Sequence, residues 1–342
     1  MKERINFKKI AAAFMLAAGV LSIPVSSQGD EIVKIFGQNN LMLGTYPATS
    51  VSHIEFGEGT SIEIPLSETI SFKMIKVEGG VPYKLQNTGI VTASSNWRSV
   101  GTTKQMEDYW IGEFQVTQGI WKEVMGISSD DKLPVSNVSS TLNGITFQIG
   151  SKQTAIGNNY PIANVSWDDI CGTDGFLTKI NEKLKELKAS DATLAAALGD
   201  REFRLPDEWE WEYAAAGGKD YATLKYYYAG TKATTAEALE QVAVNCVSQN
   251  KATSVAAVGS KLPNALGLYD MSGNVWEWCS GKYPNLDDLC YLKSDGTVES
   301  SYRPRRGGGW GNTTASNFSI SSRSDGVPSS YKSVIIGFRL AL

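Results

Sequence analysis

Histidine is almost missing from this chain of 342 residues: His53, near the N-terminus, is the single one. A histidine-ligated metal centre or a Ser-His-Asp triad therefore cannot be built from the rest of one chain, and His53 reads as an ordinary surface residue. No Gly-x-Ser-x-Gly turn joins a strand to a helix, which removes the usual setting of a nucleophilic serine. Cysteine is scarce as well. The four residues Cys171, Cys246, Cys279 and Cys290 show no Cys-x-x-Cys spacing, so zinc and dithiol redox motifs are absent. None precedes Cys171, which excludes a lipidated cysteine at a mature N-terminus. Charge of one sign is lacking too: 32 Lys and Arg against 36 Asp and Glu give a net charge of -4, with no basic footprint for nucleic acid. After Val25 no long apolar run follows, so a second membrane span is not expected.

What is present begins with the N-terminus. Lys2, Arg4, Lys8 and Lys9 precede an apolar run from Ile10 to Val25 that ends in small residues. A basic start, an apolar middle and a small-residue end describe a signal peptide over residues 1–27, with an uncleaved anchor as the alternative. Export, to the extracellular space, cell surface or periplasm, with at most peripheral membrane contact, is the expectation. Export raises the question of disulfides. Cys279 and Cys290 bracket a short loop containing Gly, Pro and Asp, which favours that pair and leaves Cys171 with Cys246. Four unpaired thiols are the other reading.

Residues 28–69, with Ser61-Ile-Glu-Ile-Pro65, read as a short β-rich segment, and the main domain is expected over 70–342. Three helices are expected there. Gln118 to Met125 follows Val116-Thr117 and stops at Gly126. A second, roughly twenty residues long, opens at Ser166, with Asp169 in the capping-box position and Phe176, Leu177, Ile180 and Leu184 on one face. Pro206 to Ala216 is the third, its rings Trp209 and Tyr213 reading as core. Glu208, Glu210 and Glu212 stand at alternate positions, which do not share a helix face, and read as solvent contacts or local ion pairs. Beyond Gly217, glycine, asparagine and short β-like runs dominate, and long irregular loops on a rigid scaffold commonly carry function.

The densest motif is Gly267-Leu-Tyr-Asp-Met-Ser-Gly-Asn-Val-Trp-Glu-Trp278, followed by Arg306-Gly-Gly-Gly-Trp310 and Ile336-Gly-Phe-Arg-Leu340. Such a mixture implies large rings packed against closely approaching glycine backbone. Upstream stand Tyr109-Trp-Ile-Gly-Glu-Phe-Gln-Val-Thr-Gln118, Pro161-Ile-Ala-Asn-Val-Ser-Trp-Asp168 and Phe203-Arg-Leu-Pro-Asp-Glu-Trp-Glu-Trp-Glu-Tyr-Ala-Ala215. In that order these motifs resemble the sulfatase-modifying-factor family, whose type member is the formylglycine-generating enzyme. The resemblance implies an α+β, C-type-lectin-like fold with few helices, a small twisted antiparallel sheet and much coil. It does not fix the activity.

The family's oxidases use a copper-bound cysteine pair that should fall between Trp310 and Gly337. From Gly311 to Ile335 there is no cysteine, and thiolates are what monovalent copper needs. The family's iron enzymes use histidines that this chain lacks. No catalytic residues are therefore assigned and no cofactor is required. The resemblance also implies structural calcium on Asn274 and Glu277, with Asn245 less firmly placed, because calcium takes oxygen ligands. The alternative is that Asn274 turns the chain and Glu277 pairs with a buried arginine, Arg306 or Arg339.

The interval 311–335 is rich in Ser, Thr, Asn, Gly and Asp with single aromatic residues, a palette shared with antibody paratopes. It also resembles the variable proteins of diversity-generating retroelements, in which diversified positions lie between motifs like Arg306–Trp310 and Ile336–Leu340. Mutated asparagine codons cannot yield Trp, Gln, Glu, Met or Lys, and of these only Lys332 occurs in the interval. The expected ligand-binding anchors are Trp310, Phe318 and Tyr331. Around them Asn312, Thr313, Thr314, Ser316 and Asn317 precede Ser319, Ser321 and Ser324, followed by Asp325, Val327, Ser330 and Ser333. The expected partner is a protein, or a glycan, on another cell or surface. A divergent formylglycine-type oxidase and a structural envelope protein are the alternatives.

Overall fold

The computed structural model describes residues 61–84, 103–135, 155–219, 227–247, 252–281, 302–324 and 326–342, and the backbone of four further strands. The expected signal peptide, His53, Cys290 and Asp325 lie outside the described residues. The chain divides into two compact units, Met1–Glu58 and Gly59–Leu342. In the first, β1 (Ile32–Phe36) and β2 (Met42–Pro47) form an antiparallel pair.

The second unit carries the remaining strands: β3 (Ser61–Pro65), β4 (Ser71–Val77), β5 (Pro82–Lys84), β6 (Thr103–Gln105), β7 (Tyr109–Gly112), β8 (Ser139–Leu142) and β9 (Ile145–Gln148). Later come β10 (Trp276–Trp278), β11 (Tyr302–Arg303), β12 (Arg305–Arg306), β13 (Val327–Pro328) and β14 (Ile336–Phe338). Its sheets are small. One has the order β3-β4-β7, another β12-β10-β14. β3 alternates Ile62 and Ile64 with polar neighbours and pairs with β4 over five residues. Ser61–Pro65 therefore belongs to the larger unit, not to a separate segment ahead of it. The C-terminus closes this sheet: Trp110 and Leu342 exchange both backbone hydrogen bonds, at 3.1 and 2.9 Å.

The first expected helix, α1 (Gln118–Met125), starts at Thr117, whose hydroxyl accepts from the Ile120 N–H, and ends at left-handed Gly126. The second is shorter than expected. Ser166 and Asp169 form the capping box, but α2 (Trp167–Cys171) stops and α3 (Phe176–Ser190) begins after Gly172-Thr-Asp-Gly175. The turn between them depends on glycine, since a Cβ on Gly172 would lie 2.5 Å from the Asp168 carbonyl and one on Gly175 2.7 Å from that of Ile170. Two helices went unrecognised, α4 (Ala192–Leu198) and the later α6 (Ala236–Val242). Asp191 and Thr235 cap them. Between them lies α5 (Glu208–Ala216), capped by Asp207 and Glu210.

The core is aromatic. Trp121 of α1 stacks on Phe176 of α3 at 5.2 Å, and Phe338 of β14 meets both edge-on. These rings join the helices to β14, and β14 is hydrogen-bonded in parallel to β10.

Candidate ligand-binding face

The floor beneath the C-terminal interval is a set of buried ion pairs. Glu277, at the centre of β10, faces Arg339 with Nε and Nη2 within 3.0–3.3 Å of its oxygens. Its carboxylate also accepts from Trp211 Nε1 at 2.7 Å and Gln115 Nε2 at 3.0 Å. The remaining Arg339 donors go to the carbonyls of Gly112, Glu113 and Tyr269. A charge removed from water is tolerated only when paired and fully hydrogen-bonded, and this pair is. Beside it, Arg306 donates to Glu212, while Arg323 donates to Glu208. Glu208 and Glu212 are one helical turn apart, so they share a face, and both are buried. Their reading as solvent contacts is therefore corrected. The alternate spacing separates each from Glu210, while the four-residue spacing brings Glu208 and Glu212 to one side of the helix. Glu210 does form a local pair, with Arg204 at 2.6 Å.

The three glycines after Arg306 admit rings. A Cβ on Gly307 would lie 3.1 Å from Trp211, one on Gly308 2.8 Å from Phe318, and one on Gly309 3.0 Å from Trp276. The close approach expected from the motif is present.

The interval itself divides into buried and open positions. Trp310 is 3% exposed and Phe318 0%. Trp310 packs in the main core, and Phe318 joins Tyr227, Tyr228 and Leu239. Both were expected as ligand anchors, and both instead hold the scaffold, because the glycine-lined backbone lets them reach inward. Ser316 and Ser319 are buried. Asn312 is spent on structure, its Oδ1 accepting from Trp276 Nε1 at 2.8 Å and Gly309 N at 2.9 Å. Ser333 accepts through its carbonyl from Asn164 N at 2.9 Å. Val327 pairs with Arg303 across β11 and β13 and packs on the core. Thr313, Thr314, Ser330 and Tyr331 are exposed, and Asn317, Ser321 and Ser324 are half-buried. Tyr331, at 44%, is the one exposed large apolar side chain among the described residues.

Arginine and tryptophan complete this face, and sequence reasoning passed over them. Arg305 places its guanidinium 5.8 Å from the Trp276 ring and 5.9 Å from that of Tyr331, and donates to Ser324 Oγ at 2.6 Å. Arg303 lies 4.1 Å over Trp167, a cation–π contact. The signal was available in the alternation Tyr302-Arg303-Pro304-Arg305-Arg306, which turns Arg303 and Arg305 to the side opposite their neighbours. The N-terminal end of α2 ties the segment down. Asp168 Oδ2 accepts from Ser329 Oγ at 3.0 Å, and Lys332 pairs with Asp169 at 2.7 Å. Burial alone would raise the Asp169 carboxyl, but Lys332 and the Ser166 N–H and hydroxyl outweigh it and hold it below its ordinary range.

The side-chain oxygens of the residues expected to hold calcium are engaged by protein donors. Glu277 is already matched by a guanidinium and two further N–H donors. Asn274 adopts a left-handed turn, at φ 61°, and bonds both ways to Ala256, with Oδ1 accepting at 3.0 Å and Nδ2 donating at 3.1 Å. Asn245 Oδ1 accepts from Val247 N at 2.9 Å. These carboxylate and amide oxygens are turned to protein donors, as the alternative reading held for Asn274 and Glu277. Among the described residues Cys171, Cys246 and Cys279 are free thiols, so the expected Cys171–Cys246 pair is not formed, while Cys290, the expected partner of Cys279, lies outside the described residues. Cys279 is fully buried, its Sγ donating to the Glu277 carbonyl at 3.7 Å. Burial pushes its proton affinity well up, and that of Cys171 to about 12, so neither is a ready thiolate.

Several small sheets of two or three strands, a few capped helices and long coil around a buried charge lattice define a C-type-lectin-like domain. The family described as "Sulfatase-modifying factor enzyme 1-like domain" matches residues 67–342, and the chain belongs to that family. Among similar proteins is the chaperone protein LppX of Paenibacillus barcinonensis, 28% identical over 71% of this chain and 80% of that protein. A formylglycine-generating enzyme of Streptomyces coelicolor is 29% identical over 54% of this chain, spanning about half (52%) of the enzyme. Among solved structures, Treponema denticola variable protein 1 is similar in fold, with a TM-score of 0.58 and 24% identity over 82% of this chain and 98% of that one. PvdO from Pseudomonas aeruginosa is similar at a TM-score of 0.52 and 19% identity, over 83% of this chain and 97% of that one. Among the described residues no helix is long and apolar enough to cross a membrane.

Proposed function

We propose that this chain is a secreted or surface-displayed, non-catalytic binding protein that meets a protein ligand, or secondarily a glycan, through the open positions of its C-terminal interval. One observation carries the reading. Within a single segment the bulky residues Trp310, Phe318, Ile320 and Val334 are buried, while Thr313, Thr314, Ser330 and Tyr331 stand open on the surface. Small polar groups can change there without disturbing the scaffold, and the exposed ring of Tyr331 offers an aromatic surface of the kind that dominates binding energy. The likeness in fold to a variable protein supports the further reading that the interval is diversified by a retroelement. Lys332, the residue that asparagine-codon mutation cannot produce, pairs with Asp169 at 2.7 Å, a contact made with the scaffold that gives it a reason to stay constant.

The family's oxidases favour a second reading, formylglycine generation. The absence of cysteine from 311–335 and the high proton affinities of Cys171 and Cys279 weigh against it. Two tests separate the readings. Binding predicts a near-repeat of the 311–335 coding sequence beside the gene, with asparagine codons at the open positions and a reverse transcriptase nearby. Stoichiometric copper(I) binding with turnover of a cysteine peptide would overturn it.

A further inference from the structure

A cavity of about 500 Å³ lies beside the β3-β4-β7 sheet, and none of its lining residues belongs to the 310–335 interval. A second hollow of about 390 Å³ adjoins it, sharing Thr69, Ile70 and Asn158. The larger volume falls in the range of small-molecule sites. Its walls are partly aromatic, from Phe72 and Phe114, and partly carboxylate, from Glu63 and Glu113.

The aromatic wall is built to stay in place. Phe114 lies 5.0 Å from the Tyr269 ring, and on another side it meets Gly259, where a Cβ would approach to 2.7 Å. Phe72 is backed by Phe203 at 5.6 Å. The charged wall is under-matched. Lys73 Nζ stands 3.6 Å from Glu113 Oε1, longer than a direct hydrogen bond, and it is one ammonium on a wall that also carries Glu63. Arg339 lies behind, but its charge is met by Glu277, and it reaches Glu113 only at the backbone carbonyl. Gln115, another lining residue and fully buried, leaves its Oε1 without a hydrogen-bond partner. Burial raises the Glu113 carboxyl above its ordinary range, with Glu63 adding to the rise and Lys73 opposing it.

A wall rich in acceptors, net negative and faced by fixed rings suits a ligand that is a cationic donor with an apolar body. We propose that this cavity is a second ligand site, for a small organic ammonium ion whose amine meets Glu113 and Glu63 and whose apolar part lies on Phe114. An ammonium offers three donors and no acceptor, and an aromatic face adds cation–π attraction. A neutral alcohol of the same shape gains neither the charge nor the full set of bonds.

Calorimetric titration of the full chain with phenethylamine and with 2-phenylethanol tests this site. The amine should bind at least about tenfold more tightly than the alcohol. Glu113→Gln should remove that preference, Phe114→Ala should weaken both ligands, and Lys73→Met should tighten the amine alone. Lys73→Met keeps the test open if Glu113→Gln does not fold. Absence of saturable amine binding up to about 10 mM overturns the proposal. So does a preference for the amine that survives Glu113→Gln, or amine binding that Lys73→Met weakens.

Discussion

The Trp-Glu-Trp strand and the segment that follows Trp310 run through one region of the domain with inverted chemistry. In the first, charge is inside: Glu277, Arg306 and Arg339 are buried and answered by two or more partners each. In the second, the bulky apolar groups Trp310, Phe318 and Ile320 are inside, and the outside is left to Thr, Ser, Asn and one tyrosine. The contrast shows how one fold can hold its shape while its surface changes. Buried ion pairs are unforgiving of substitution because removing one partner strands the other. Small exposed side chains carry little stability of their own.

That contrast can be broken most forcefully at Arg339. Replacing it with alanine leaves Glu277 charged in the core, and a loss of about 3–5 kcal/mol is expected in denaturant unfolding. Phe318→Ala should follow, with a loss of about 3–5 kcal/mol from the cavity it leaves, although it lies in the interval assigned to binding. Were Phe318→Ala silent in stability, the split between its buried and open positions would fail.

A smaller effect comes from Asp270. It is fully buried, Gly259 N donates to its Oδ2, and its Oδ1 has no partner. Burial lifts its carboxyl from 3.8 to about 6, the Gly259 bond and Arg339 opposing the rise. The raised value means that the folded form keeps a proton the unfolded chain gives up. Stability from this group is complete below pH 3.8 and falls as pH rises through about 6. The loss should reach at most about 3 kcal/mol, and Asp270→Asn should flatten the profile. A wild-type curve and an Asn curve that fall in parallel would remove Asp270 as the cause.

The smallest effects sharpen the same comparison from the other side. Thr313→Ala and Ser330→Ala should each change stability by no more than about 0.5 kcal/mol. Tyr331→Ala should do the same, since the ring is exposed and its contact with Arg305 is a loose one. A melting temperature that moves as far for Tyr331→Ala as for Phe318→Ala would contradict the division.

Much of the scaffold was legible because its signals are local. Thr117 and Gly126 delimit α1, and Ser166 with Asp169 caps α2, by hydrogen bonds within a few residues of chain. The glycine triplet announced close packing for a similar reason: only glycine leaves room there. Long-range partners were not legible. Nothing near Glu208 or Glu212 in sequence points to Arg323 or Arg306, about a hundred positions away, so the pair was read as solvent-facing. The candidate face was half legible. Composition sets the interval apart, but composition has no inside, and Trp310 and Phe318, expected to point outward, are turned inward by the fold. Arg303 and Arg305, which line the same face, lie just ahead of the motif and were eclipsed by it.

Sequencing the 3′ end of this gene across sibling strains tests the central claim most directly. The account predicts substitutions clustered at open and half-buried positions such as Thr313, Thr314, Asn317, Ser330 and Tyr331. It predicts constancy at Trp310, Phe318, Ile320, Arg323, Lys332 and Ile336–Leu340. Substitutions spread evenly along residues 70–342, or falling as often on the buried positions as on the open ones, would contradict it.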